Sequence, residues 1–212
     1  MSRGKLAVVV LISGRGSNLQ AIIDRARETG CPFELKAVIS NRPDAAGLER
    51  ARRAGVATRI VDHKSHASRE SFDRALAQAI DAFQPGLVVL AGFMRILTPE
   101  FVARYDGRLI NIHPSLLPSF PGLDTHQRAL ATGAAEHGAS VHFVTSGLDS
   151  GPLIAQARVP VKAGDDADTL AARVLEQEHR ILPEAICWFA EGRLKVDGER
   201  VLLDGKPALQ SV

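Results

Sequence analysis

Short apolar runs alternate along the chain with stretches in which apolar residues recur every three or four positions. The first kind reads as strands and the second as amphipathic helices. Lys5–Ser13 (KLAVVVLIS) carries an unbroken apolar run and predicts a strand buried on both faces. After a glycine-containing turn, Ser17 or Asn18 is placed to cap a helix running to about Thr29, where Gly30 stops it. Phe33–Ser40 predicts a second strand, Ala45–Ala54 a helix ended by Gly55, and Ala57–Val61 a third strand. Ser68 caps a helix to about Phe83, which Pro85-Gly86 breaks. Leu87–Ala91 (LVVLA) again suits a central parallel strand.

The second half is less regular. Thr98-Pro99 reads as the cap and first residue of a short helix, and Leu109–His113 as a strand. Pro114, Pro118 and Pro121 force a loop over Pro114–Gly122. Thr125–Thr132 predicts a short helix before Gly133, and Ala139–Val144 and Leu153–Val159 predict strands. Asp168 opens a long amphipathic helix ending near Ala190. Leu194–Asp197 and Val201–Leu203 flank Gly198 as a small terminal hairpin. Strand–helix alternation implies an α/β fold: a mostly parallel central sheet with helices on both faces and a mixed C-terminal half. No linker, repeat or low-complexity tract interrupts 1–212, so a single domain is expected, with a regular first half over 1–105 and a less regular second half over 106–212.

Composition narrows the function classes. Of 212 residues 45% are hydrophobic and 24% charged, as in a soluble globular protein, and the net charge of +2 calls for neither nucleic acid nor membrane as partner. The basic start and the run Leu6–Ile12 look at first like a secretion signal. The run is short, though, and ends in a glycine turn, so a buried first strand is the better reading. No segment approaches the ~20 apolar residues of a membrane span. Cys31 and Cys187 form no CxxC pair and are expected to stay reduced in a cytoplasmic protein. The seven histidines show no metal-binding spacing, and no metal is predicted. His63 and His66 read as solvated; His137, His142 and His179 could serve a site, with structural roles the better reading.

Ser13-Gly14-Arg15-Gly16-Ser17-Asn18 joins the first strand to the first helix. It is neither GxxxxGK[ST] nor GxGxxG, since Leu19 stands where the third glycine would be. A helix N-terminus at the carboxyl end of a parallel strand suits a phosphate monoester; a plain tight turn before a helix fits the same residues. In Asn111-Ile112-His113 the alternation of a strand puts Asn111 and His113 on one face. An amide N–H and a protonated imidazole side by side can stabilise an oxyanion, and the imidazole can pass a proton. Two strand-end polar groups capping loop backbone would look the same. Asp149, in the turn LDSGP, is locally an ordinary turn residue, although a carboxylate near His113 would hold the ring charged or correctly oriented.

Three motifs occur in order: ISGRGSNLQ (Ile12–Gln20), AGFMRIL with NIHPSLLPSFPG (Ala91–Leu97 and Asn111–Gly122), and HFVTSGLDSGP (His142–Pro152). With SNRPDAAGLERA and RVLEQEH they closely resemble the glycinamide ribonucleotide formyltransferases, a branch of the folate-dependent formyltransferase superfamily, over roughly Leu6 to Leu203. The resemblance implies a Rossmann-like N-terminal half, a ribonucleotide substrate and 10-formyltetrahydrofolate as co-substrate, with no metal, in a monomer or homodimer. It implies that Gly16, Ser17 and Asn18 bind the substrate phosphate and that Glu178 holds the ribose hydroxyls. Asn111, His113 and Asp149 match the catalytic residues. Arg69, Met94, Arg95, Ile96, Leu97, Leu109, Asn111 and Val144 match the folate site. Read as residues alone, Arg95 could cap backbone carbonyls and Arg69 could simply be solvated. Leu175 replaces a polar group that some relatives carry near the phosphate, and Asp124 a histidine. A formyltetrahydrofolate hydrolase would share the Asn-His-Asp trio and use water as acceptor, and a methionyl-tRNA formyltransferase would share NIHxSLLP, but each is expected to carry a further domain. A non-catalytic nucleotide- or folate-binding module would need the glycine turn without the three catalytic residues.

Overall fold

The protein, seen in a computed structural model that describes residues 4–208, forms two compact units that divide between Ile110 and Asn111. Unit 1 holds β1 (Leu6–Ile12), α1 (Ser17–Ala26), β2 (Phe33–Ser40), α2 (Gly47–Arg53), β3 (Ala57–Ile60), α3 (Arg69–Asp81), β4 (Leu87–Leu90) and α4 (Pro99–Arg104). Strand β5 (Leu109–His113) contains the boundary. Unit 2 continues with α5 (Thr125–Ala131), β6 (Glu136–Phe143), β7 (Leu153–Pro160), α6 (Ala167–Ala190), β8 (Leu194–Asp197), β9 (Arg200–Leu203) and β10 (Lys206–Pro207). The strand order is β3-β2-β1-β4-β5-β6-β7 in a seven-stranded sheet and β10-β9-β8 in a three-stranded one. The α/β architecture with a small terminal hairpin matches the expectation, and β10 adds a strand the sequence did not suggest.

In unit 1, β1 pairs in parallel with β2 and with β4, and β2 with β3. Val8 to Ile12 and Leu87 to Val89 are fully buried, which is why both segments read as unbroken apolar runs. Each such side chain contributes roughly 1.5–3 kcal/mol by leaving water. In unit 2, β6 and β7 run antiparallel from Glu136↔Pro160 to His142↔Leu153, giving the mixed half its character. β6 begins earlier than Ala139 because pairing extends back through Gly138, where a Cβ would stand 2.0 Å from the Ala157 carbonyl oxygen.

Several ends move for local reasons. Helix α1 stops at Ala26, short of Thr29: Arg27 N and Glu28 N bond three residues back, to Asp24 O and Arg25 O, and tighten the chain before Gly30. Helix α2 begins at Gly47 after similar three-residue turns from Ala45 and Ala46. Helix α6 begins at Ala167, ahead of Asp168, because Asp166 and Thr169 form a reciprocal capping box. The Ser68 cap of α3 and the Thr98 cap with Pro99 of α4 stand as expected. The Leu117–Pro118 peptide is cis. No helix among the described residues is long and apolar enough to cross a membrane.

Candidate functional site

In unit 1 the chain leaves β1 through Ser13 and enters α1 at Ser17. Neither Ser17 nor Asn18 is the cap. The N-cap is Gly16, left-handed at φ 71°, and no side chain caps the helix. The left-handed residue turns the backbone hard against α2, where Gly47 N donates to Gly14 O at 3.0 Å. A Cβ on Gly16 would lie 2.7 Å from Gly47 Cα, and one on Gly47 would lie 2.6 Å from Ile12 Cδ1. Two glycines, one from each helix start, therefore set the closeness of the turn. The start of α1, with no side chain spent on capping, presents its amides and the positive end of its dipole to whatever lies outside. Gly16→Ala is expected to destabilise the protein by about 2 kcal/mol, from the left-handed φ and the backbone clash together. Urea unfolding measures this, and an unchanged midpoint would contradict the packing argument.

The turn lines a cavity of about 460 Å3 together with Asn41, Arg42, His63 and the loop Ala91–Arg95. Three arginines, Arg15, Arg42 and Arg95, are among the residues that line it and no acidic residue is, so the lining favours an anion. The guanidinium of Arg42 pairs with Asp44 at 2.7 Å, and that bond pushes the Arg42 pKa up. His63, expected to be solvated, is half-buried instead: its Nδ1 lies 2.8 Å from the Asn41 carbonyl oxygen, to which it donates.

The segment matched to the folate site lies alongside. Met94, Arg95 and Ile96 are exposed, with Met94 at 66% and Ile96 at 65%, and Leu97 is half-buried. Arg69 is the exposed first residue of α3. Leu109 is buried in β5 at the end of unit 1. In unit 2, Val144 is half-buried just past β6, and Glu178 lies buried on α6, one turn beyond half-buried Leu175.

Unit 2 also brings together three residues that are far apart in the chain. His113 Nδ1 lies 3.4 Å from Asp149 Oδ2, with the two side chains only 7% and 11% exposed. His113 Nε2 lies 3.0 Å from the Phe120 carbonyl oxygen and donates to it. Asp149 is held in a left-handed turn at φ 46°, and its Oδ2 accepts from Gly122 N at 2.8 Å. The 114–122 loop thus touches both partners, at Phe120 and at Gly122. Asn111, on the same face of β5 as His113, is half-buried and lies 3.2 Å through Nδ2 from His142 Nε2.

Of the two roles open to His142, structural or serving the site, its bonds bear on both. Its Nδ1 donates to Phe143 O at 2.8 Å, so in the neutral ring Nε2 carries a lone pair and accepts from the Asn111 amide. Burial pushes the His142 pKa down, against the opposing pull of the Phe143 carbonyl and Asp149, and favours this neutral form. The amide of Asn111 is thereby fixed with its nitrogen toward His142. A signal existed in the sequence: His142 stands on β6, the strand after the Asn111-Ile112-His113 motif, but only three-dimensional register shows that it reaches Asn111. Nearby, His137 Nε2 lies 3.2 Å from His126 Nδ1. Burial, reinforced by the charges of His126 and His113, pushes the His137 pKa down to about 4. Among the described residues, no group of three or more His, Cys, Asp or Glu could hold a metal ion.

Comparison with known proteins fits this geometry. The formyl transferase family model matches residues 6–186. The chain is 58% identical over 199 residues to the phosphoribosylglycinamide formyltransferase of Escherichia coli K12, covering 94% of each chain. Its structure superposes on the phosphoribosylglycinamide formyltransferase of Coxiella burnetii with a TM-score of 0.91 and 55% identity, over 96% of this chain and 95% of that one. It superposes on glycinamide ribonucleotide transformylase 1 of Symbiobacterium toebii with a TM-score of 0.92 and 51% identity, over 94% of each. The chain therefore belongs to the formyl transferase family of enzymes, in the branch of the phosphoribosylglycinamide formyltransferases.

Proposed function

We propose that the protein transfers the formyl group of 10-formyltetrahydrofolate to the glycine amine of 5′-phosphoribosylglycinamide, a step of purine biosynthesis, in the cytoplasm and without a metal. The observation that carries this reading is the nearly buried pair, at 3.4 Å, between Asp149 and His113, the latter on the strand that also bears Asn111. The neutral amine attacks the formyl carbon, which becomes tetrahedral, and its oxygen takes the negative charge. Asn111 Nδ2 has a second N–H beyond the one given to His142, and His113 is the second donor for that oxygen. Both ring nitrogens of His113 are engaged, one facing Asp149 and one bonded to Phe120 O. The oxyanion therefore replaces the Phe120 carbonyl at Nε2, while Asp149 holds Nδ1 and fixes the orientation of the ring. As the carbon–N10 bond breaks, the attacking nitrogen loses a proton and N10 gains one, with Asp149 and His113 ordering the water that carries it.

The uncapped start of α1 at Gly16, Ser17 and Asn18 takes the phosphate through backbone N–H groups, as Leu175 offers no polar side chain. Glu178 receives the ribose hydroxyls. Met94–Leu97 lines the folate with Leu109 and Val144, and Arg69 meets the acidic folate tail. The names of the relatives support the choice of acceptor. A hydrolase would use water in place of the amine, and a binding module would turn nothing over. Folate absorbance followed with and without the ribonucleotide separates the three. Turnover that depends on the amine is expected; loss of formyl without it, or binding without turnover, would defeat the assignment.

A further inference from the structure

The segment from Met94 to Thr98 links β4 to α4 without regular structure of its own. It presents two large apolar side chains to solvent, Met94 at 66% and Ile96 at 65% exposed. Loops of this kind are ordinarily mobile, and a loop that must be ordered on binding lowers affinity. This one is tied at both ends by buried side chains from other elements. At its start, Met94 N donates to Ser13 Oγ at 2.8 Å. Ser13, 5% exposed just past β1, gives its own proton to Asn41 Oδ1 at 2.6 Å, and Asn41 is 2% exposed beyond β2. The hydroxyl is therefore oriented, with a lone pair left for Met94. At the other end, Thr98 N donates to Asp73 Oδ2 at 2.6 Å. Asp73 lies on α3, 3% exposed, and its Oδ1 is buried with no hydrogen-bond partner among the described residues.

A buried carboxylate is costly. On α3 an apolar side chain would pack at this depth at no such cost, so packing does not explain Asp73. What the carboxylate does is fix one backbone N–H, at the point where the segment meets α4. Ser13 and Asn41 do the same at the point where it leaves β4. The residues between, Arg95 to Leu97, are the ones free to face a ligand. We propose that Ser13 and Asp73 are positioning residues that hold the Met94–Leu97 backbone in its folate-binding shape before folate arrives. This rests on the reading of Met94–Leu97 as folate-binding.

Two measurements on the full chain test it together. Amide hydrogen exchange of the free protein reports the anchors directly, and titration with tetrahydrofolate, kept anaerobic, reports their use. Ser13→Ala, which barely changes volume, is expected to speed exchange at Met94 and to weaken tetrahydrofolate binding about tenfold, the worth of one buried hydrogen bond. Asp73→Ala should do the same at Thr98, while Asp73→Asn, which keeps an acceptor oxygen, should restore most of the affinity. In Asp73→Ala, whose side chain is not part of the phosphate turn, ribonucleotide affinity and kcat at saturating folate should stay near wild type. Should Asp73→Ala fail to fold, exchange and tetrahydrofolate affinity in Ser13→Ala still decide. Faster exchange with unchanged tetrahydrofolate affinity would overturn the proposal alone, as would unchanged exchange, or, in Asp73→Ala, an equal loss of ribonucleotide affinity. Failure of the unaltered protein to bind tetrahydrofolate would overturn the reading of the segment and the proposal with it.

Discussion

His113→Ala is expected to lower kcat by roughly 10²–10⁴ while leaving ribonucleotide affinity within a few-fold of its starting value, the range associated with loss of a proton-transfer group or an oxyanion donor. Two losses combine. The oxyanion loses one of its two donors, and the Asp149 carboxylate, 11% exposed, loses the ring that faces it at 3.4 Å. The turn proposed to hold the phosphate is in unit 1, and the contacts described for His113, to Asp149 and Phe120, lie within unit 2, so binding of the ribonucleotide has no reason to fail. The variant also leaves the Phe120 carbonyl without its 3.0 Å donor, a cost of about 1 kcal/mol that thermal unfolding would register. Single-turnover kinetics at saturating substrates isolates the chemical step from this. A kcat within tenfold of wild type in a folded variant would remove His113 from the proposed chemistry.

What could be read from the sequence depends on how far apart the interacting groups are in the chain. Val8 to Ile12 announce a buried strand because the signal is local, and the pleat alone puts Asn111 and His113 on one face. Ser68 and Thr98 were legible as caps for the same reason: a cap is a contact across three residues. Gly16 was not. Ser17 and Asn18 are both good caps by residue type, yet the close approach of Gly47, on another helix, selects a left-handed glycine in their place. The start of β6 was missed because its register is set by β7, which the sequence does not align. Within the site, motif and resemblance named Asn111, His113 and Asp149, but no local pattern puts Asp149 beside His113. That contact needs the turn after β6 and the Gly122 amide to meet. His142, Ser13 and Asp73 fall in the same class. Each looks like a core or strand-end residue locally, and each shows its role only through a bond to a backbone or amide group distant along the chain.

Asp149→Asn is expected to lower kcat by about 10²–10³, as for loss of one preorganised electrostatic group, with little loss of stability. Asparagine suits this position for two reasons. It tolerates the left-handed backbone found at φ 46°, and its side-chain oxygen can still accept from Gly122 N, now at 2.8 Å. The substitution thus removes charge while leaving the turn and the loop contact in place. Asp149→Ala removes both, and should lose stability as well as turnover. The decisive comparison is a double-mutant cycle. If Asp149 acts by holding the His113 ring in place, then removing its charge in a His113→Ala background has little left to disturb. Asp149→Asn should then cost less than about threefold in kcat, because residues acting as one unit are strongly non-additive. A full, multiplicative loss in that background would mean that the carboxylate acts on the substrates or the transferring proton by itself, and the pairing with His113 would have to be given up as its means of action.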